Sequence, residues 1–189
     1  MTAAHATARR AQLFDQLVAL FLDEGFAHLT LDDIATRLRC SKSTLYTLAG
    51  SKDELVRTAT VHFFRGATDR VEASIATVEG TGARLTEYLS AVGIALQPAS
   101  AQFMDDLAAF PPAREVYEQN TAIAAQRVQQ LIDEGTSAGD VRGVHAAFVA
   151  DVAATTMARI QSREVAERTG LEDSQAYAEL AALLTTGIT

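Results

Sequence analysis

The sequence predicts an all-α protein, on three observations. Ala, Leu, Glu, Gln and Arg, all strong helix formers, recur along the whole 189 residues. Pro is scarce, at 3 residues, so helices can run long without interruption. No run of β-branched residues alternates with polar ones, as a half-buried strand requires. Hydrophobic residues make up 48% of the chain, which is enough to fill a core.

The elements follow in order. A first helix is expected over about Arg9 to Glu24, with Leu13, Leu17, Leu20 and Phe21 marking one face and Phe14 and Val18 widening it. Gly25 stops it as a C′ glycine. Thr30 is placed to N-cap a short second helix, Leu31 to about Leu38, and Asp32 and Asp33 suit its positive end. Ile34 and Leu38 point inward, and Ala35 permits close helix contact. Cys40 falls in the turn, and Ser41 caps a third short helix, Lys42 to about Leu48. Gly50 breaks the chain, and Ser51 with Glu54 has capping-box spacing. The long fourth helix runs through Leu55, Ala59, Phe63, Ala67 and Val71 to Val78. Gly80 and Gly82 mark the next break. Further helices are expected at about 83–96, 99–109, 113–134, 144–168 and 172–186, about nine in all. A glycine-punctuated loop from Gly135 to Gly143 separates the last two from the rest.

The formal net charge is -8, but it is unevenly spread. Residues 1–58 hold seven basic and seven acidic residues, so the whole excess falls on the remainder. From Arg37 to Arg57 the balance is five basic to two acidic, a local basic patch in an acidic protein. The stretch Phe148 to Met157 is interrupted by Asp151 and is too short for a transmembrane span. The start MTAAHATARR has no apolar region of the kind a signal peptide needs. A single cysteine, Cys40, excludes an internal disulfide and fits a cytoplasmic protein. In the turn it is expected to act as a small apolar residue rather than a redox sensor.

The segment TLDDIATRLRCSKSTLYTLAGSK, Thr30 to Lys52, carries the functional reading. Two short helices joined by a tight turn form a helix-turn-helix, whose second helix can enter a major groove about as wide as itself. Here the residues resemble the TetR family of regulators. The family pattern is E-x-G-F/Y, then T-x-x-x-I-A, then S-x-x-T-L/F-Y, then S-K-x-x-L. This chain has Glu24-Gly25-Phe26 with a shorter spacer, Thr30 with Ile34-Ala35, Ser41 with Thr44-Leu45-Tyr46, and Ser51-Lys52 with Leu55. It departs at Leu48-Ala49, where the family usually has His-Phe, and there it is similar to a branch with Y-x-L-A-x-S-K.

The resemblance implies a homodimeric regulator that binds a palindromic double-stranded DNA operator, by family default as a repressor. It implies a reader over 1–50, with its motif at about 30–49, and a ligand-sensing, dimerising bundle over 51–189. Lys42, Ser43 and Thr47 become candidates for base or adjacent phosphate contacts. Thr30, Thr44, Tyr46 and Lys52 join them as candidate DNA contacts. For a small, largely apolar effector, the candidate lining is His62, Phe63, Tyr88, Phe103, Met104, Phe110, Tyr117 and Phe148, with a polar group facing Glu87, Asp105 or Asp106. The small-residue faces of the last two helices imply a dimer interface with Phe148, Val152, Tyr177, Leu180 and Leu184 as candidates. The rival reading is a helical small-molecule-binding or interaction protein that has lost DNA binding.

No enzyme is expected, and no catalytic residue, metal or cofactor. Gly135-Thr136-Ser137-Ala138-Gly139 matches G-x-S-x-G, but a nucleophile elbow needs a preceding strand and here a helix precedes it. Asp105-Asp106 lacks the third acid of a DDxxD metal motif, since Ala109 holds that position. His5, His28, His62 and His145 form no metal-binding pair.

Overall fold

The computed structural model describes residues 3–139 and 144–188. Among them every regular element is a helix: α1 (Ala3–Glu24), α2 (Leu31–Arg37), α3 (Lys42–Tyr46), α4 (Lys52–Ile75), α5 (Thr81–Leu96), α6 (Ala101–Ala109), α7 (Pro111–Ala138), α8 (Ala146–Gln161), α9 (Glu164–Thr169) and α10 (Asp173–Ile188). The chain is therefore all-α, with ten described helices where nine were expected. The extra one arises at Arg163, whose left-handed φ of 66° breaks the predicted 144–168 helix into α8 and α9.

The boundaries follow local chemistry. Gly25, at φ 79°, ends α1 and donates its N–H to Phe21 O at 2.9 Å. Thr30 and Asp33 form a reciprocal capping box on α2. Ser41 Oγ caps α3 by accepting the Thr44 N–H. Ser51 Oγ accepts the Glu54 N–H at 3.1 Å, while the Glu54 carboxylate reaches back to the Gly50 N–H at 2.7 Å. Pro111 opens α7 directly, a position where its missing N–H costs nothing. Gly135 lies inside α7 rather than in a loop, and Gly139, at φ 79°, follows its end. Residues 140–143 of the predicted loop lie outside the described residues.

Packing divides the chain into two compact units. The first is Met1–Phe64 with Pro98–Val116, and the second is Arg65–Gln97 with Tyr117–Thr189. The first unit takes α1 to α3, the start of α4, and α6. Leu17, Phe21, Phe26, Ile34, Leu45 and Leu55 are all below 3% exposed there. Each such side chain contributes roughly 1.5–3 kcal/mol by leaving water. An aromatic cluster extends that core: Phe26 meets Phe21, Phe103 and Phe110 at 5.7, 5.9 and 5.7 Å, and Phe103 meets Phe63 at 5.9 Å.

The second unit is built around α5 and α10. Gly93 allows their close approach, since a Cβ there would lie 2.9 Å from Ser174 O. Leu85, Leu89, Val128, Leu131, Ile132, Ala153 and Met157 fill its interior. Arg127 pairs with Glu72 and Arg84 with Glu134, both across helices.

Candidate nucleic-acid interface

The reader presents α3 at its surface. Leu45, its one buried residue, is 1% exposed and anchors the helix, while Tyr46 turns outward at 53% exposure. Lys42, Ser43 and Thr47 are exposed as well, and Thr44 is half-buried. The helix is shorter than predicted and ends at Tyr46 instead of Leu48. Thr47 N–H bonds to Thr44 O and Leu48 N–H to Leu45 O, a tighter winding that closes the helix before the Leu48-Ala49 departure. Ala49 is 8% exposed and occupies core space, where the family pattern carries an aromatic residue.

The polar groups are held in defined positions. Lys42 Nζ lies 2.7 Å from Asp32 Oδ2, and that carboxylate holds the Lys42 ammonium above its ordinary pKa. Ser41 Oγ sits 2.7 Å from Ser43 Oγ and 2.8 Å from Thr44 Oγ1, a small hydroxyl cluster at the start of α3. Thr47 Oγ1 donates back to Thr44 O at 2.7 Å. Thr30 Oγ1 donates to Asp33 Oδ2 at 2.6 Å, and this bond holds the Asp33 carboxyl below the usual carboxylate range. Lys52 Nζ donates to Ala27 O at 3.0 Å, which ties α4 to the α1–α2 turn. Arg37 is paired with Glu24. Cys40 is half-buried, and burial pushes its thiol pKa up, so it is a poor nucleophile. All seven candidate DNA contacts therefore lie within residues 30–52 of the first unit.

The other candidate sites scatter. Of the eight predicted effector-lining residues, Phe63, Phe103, Met104 and Phe110 belong to the first unit, where the three phenylalanines join the ring cluster around Phe26 or its neighbours. His62 is on the surface of α4, 5.1 Å from the Phe14 ring and 3.8 Å from Asp15. Phe148 is 65% exposed on α8, so it lines no interior of this chain. Only Tyr88 and Tyr117 lie buried in the second unit. Asp106 is also unavailable to an effector, because its carboxylate is 5% exposed and bonded to backbone.

Two dimer candidates are corrected. Tyr177 and Leu180 are 1% and 4% exposed and belong to the chain's own core, because α10 turns that face toward α5. The outward side of α10 carries Leu183, at 73% exposure, which recurs at helical spacing with Leu180 and Leu184 but is not among the chosen candidates, because small and large apolar residues run all round that helix. Phe148 and Val152 are exposed on α8, and Leu184 is half-buried.

Sequence reasoning also missed a buried polar group in the second unit. Arg163 and Asp173 form an ion pair with side chains 13% and 5% exposed. Beside them the Tyr117 and Tyr177 hydroxyls face one another, with Thr121 next to Tyr177, and burial pushes both phenols well above their ordinary pKa. Among the described residues no group of three or more His, Cys, Asp or Glu is placed to hold a metal ion. None of the described helices is long and apolar enough to cross a membrane.

Two short helices at a tight turn, braced on a third, with a capped outward-facing second helix, define a helix-turn-helix protein. Residues 13–59 match the model of the bacterial regulatory proteins of the tetR family. No curated protein sequence matches it. Solved structures share its fold along nearly the whole length. One is a regulator from Saccharomonospora viridis in complex with choline, 17% identical, covering 96% of this chain and 98% of its own at a TM-score of 0.74. Another is a TetR/AcrR-family regulator from Thermobifida fusca, 20% identical, covering 95% and 98% at a TM-score of 0.69. A third is FadR from Bacillus subtilis in complex with stearoyl-CoA, 14% identical, covering 95% and 99% at a TM-score of 0.69.

Proposed function

We propose that this protein is an effector-responsive transcriptional repressor that binds a palindromic operator as a homodimer. The observation that carries the reading is α3 itself, anchored by Leu45 and offering Lys42, Ser43 and Tyr46 outward, with Thr47 exposed at its C-cap. Lys42 and Ser43 read base edges or the adjacent phosphates, with Thr47 beside them. Thr30, Thr44, Tyr46 and Lys52 contact the phosphate backbone. The exposed apolar side chains Phe148 and Val152 on α8 and Leu183 on α10 support a dimer made by those helices, with Leu184 at its edge.

The body is proposed to bind a small, largely apolar effector next to Tyr88 and Tyr117. Support comes from the burial of both phenols in the second unit and from the ligands of the choline-bound and stearoyl-CoA-bound structures of the same fold. Such a ligand acts by favouring one of two arrangements of the reader.

The test is selection of duplexes from a random pool, followed by a titration across salt concentrations. The expected result is an enriched palindromic sequence whose affinity falls steeply with salt. If no duplex is retained, the rival reading of a helical binding protein without DNA activity replaces this one.

A further inference from the structure

The turn that leads into the reader is held by a residue eighty positions further along the chain. Asp106, on α6, is 5% exposed. Its Oδ2 accepts the Phe26 N–H at 2.6 Å and the Ala27 N–H at 2.8 Å. Its Oδ1 accepts Gln102 Nε2 at 2.7 Å. Gly25 leaves the room this needs: a Cβ there would lie 2.5 Å from Asp106 Oδ2 and 2.7 Å from Gln102 Cγ. Two further contacts fasten α6 to the same place. The Ser100 N–H donates to Leu22 O at 2.8 Å, and the Phe26 ring sits against Phe103 and Phe110.

Ala27 is thereby gripped on both sides. Its N–H is on Asp106, and its carbonyl accepts Lys52 Nζ at 3.0 Å. We propose that Asp106 is a positioning residue of the DNA reader: from α6 it fixes the turn before α2 and, through Ala27, holds the Lys52 ammonium in place for the operator backbone. Without it the buried Phe26 N–H and the part-buried Ala27 N–H would both lose this acceptor, so the turn is no longer held on this path when Asp106 is lost. The proposal rests on the DNA-binding reading above.

The test compares Asp106→Ala and Asp106→Asn in the full chain, on the duplex that the wild-type protein selects from a random pool. Asp106→Ala is expected to weaken binding roughly fivefold per half-site, the worth of about one hydrogen bond, and to flatten the salt slope by about 0.9 per half-site as Lys52 disengages. Asp106→Asn is expected to restore most of the affinity, because its amide oxygen can accept both N–H groups and Gln102 can turn its own oxygen toward the amide nitrogen. A general weakening of the fold would cost the same in any background. Here the loss from Asp106→Ala should shrink when Lys52 is already Ala. Equal losses in both backgrounds, or wild-type affinity in a folded Asp106→Ala protein, overturn the proposal.

Should Asp106→Ala fail to fold, Gly25→Ala strains the same contact from the other side and is expected to reproduce the flattened salt slope. Wild-type slope in a folded Gly25→Ala protein counts against the proposal. The latch is also read without DNA, by hydrogen exchange at the Phe26 and Ala27 amides. Unchanged protection in Asp106→Ala overturns it whatever the fate of the DNA reading. A wild-type chain that retains no duplex, yet shows the lost protection in the variant, overturns the DNA reading and the role assigned to Lys52.

Discussion

Replacing Tyr46 by Phe isolates a single hydroxyl on the proposed DNA face. The side chain is 53% exposed, so the change leaves the core of the reader as it was. Unfolding free energy should move by no more than about 0.5 kcal/mol. A hydrogen bond from that hydroxyl to a phosphate oxygen is worth about 1 kcal/mol net. That is roughly fivefold in affinity for one half-site and about 25-fold for two half-sites held by one dimer. A fluorescence-anisotropy titration of the selected duplex reads the affinity, and urea unfolding of the same samples reads stability. The reasoning fails if affinity stays within about twofold of wild type while the urea midpoint falls, since the hydroxyl then supports the fold and not the complex.

Lys52→Ala should weaken binding to all duplexes alike and lower the salt slope by about 0.9 per half-site, as seen in titrations from low to moderate salt. Placing Glu at both Phe148 and Leu183, which are 65% and 73% exposed, should give a folded monomer in sedimentation, and a dimer that persists would move the interface elsewhere. Arg163→Met removes an ion-pair partner from the buried Asp173 carboxylate and should cost about 3–5 kcal/mol in urea unfolding, whereas a change below about 1 kcal/mol would mean the pair adds little. Asp33 has its folded pKa below the ordinary value of 3.8, so its stabilising effect is present above that value and fades as pH falls through the folded pKa. The melting-temperature gap between wild type and Asp33→Asn should therefore be full at neutral pH and close below about pH 4, and a gap constant down to the most acid sample would contradict the assignment.

What the sequence made legible was local. Thr30 with Asp33, and Ser41 before Lys42, announce helix starts because a capping side chain reaches only three residues. The row Leu55, Ala59, Phe63, Ala67 and Val71 points inward because a four-residue step keeps one helix face. What escaped was set at long range. Asp106 looked like half of a failed metal motif, and nothing near it in sequence signals two backbone N–H groups eighty residues away. The break at Arg163 has no glycine or proline to mark it, and its side chain is used ten residues later by Asp173. On α10, apolar residues lie on every side, so the pattern could not choose between Leu180 inside and Leu183 outside.

The membership of α6 in the first unit bears on how regulators of this kind can be recombined. A fragment ending at residue 50, or even at Phe64, would carry the whole helix-turn-helix yet leave out Asp106, Phe103 and Phe110. The Phe26 ring would lose two of its aromatic neighbours, and two amides would lose their acceptor. A chimera that grafts this reader onto a foreign body must therefore transplant two pieces of chain, the N-terminal segment and residues 98–116. A crossover at a single point would join the N-terminal segment to a foreign α6, and unless that helix carried a matching carboxylate the Phe26 and Ala27 amides would lose their acceptor even though every proposed DNA contact had been kept.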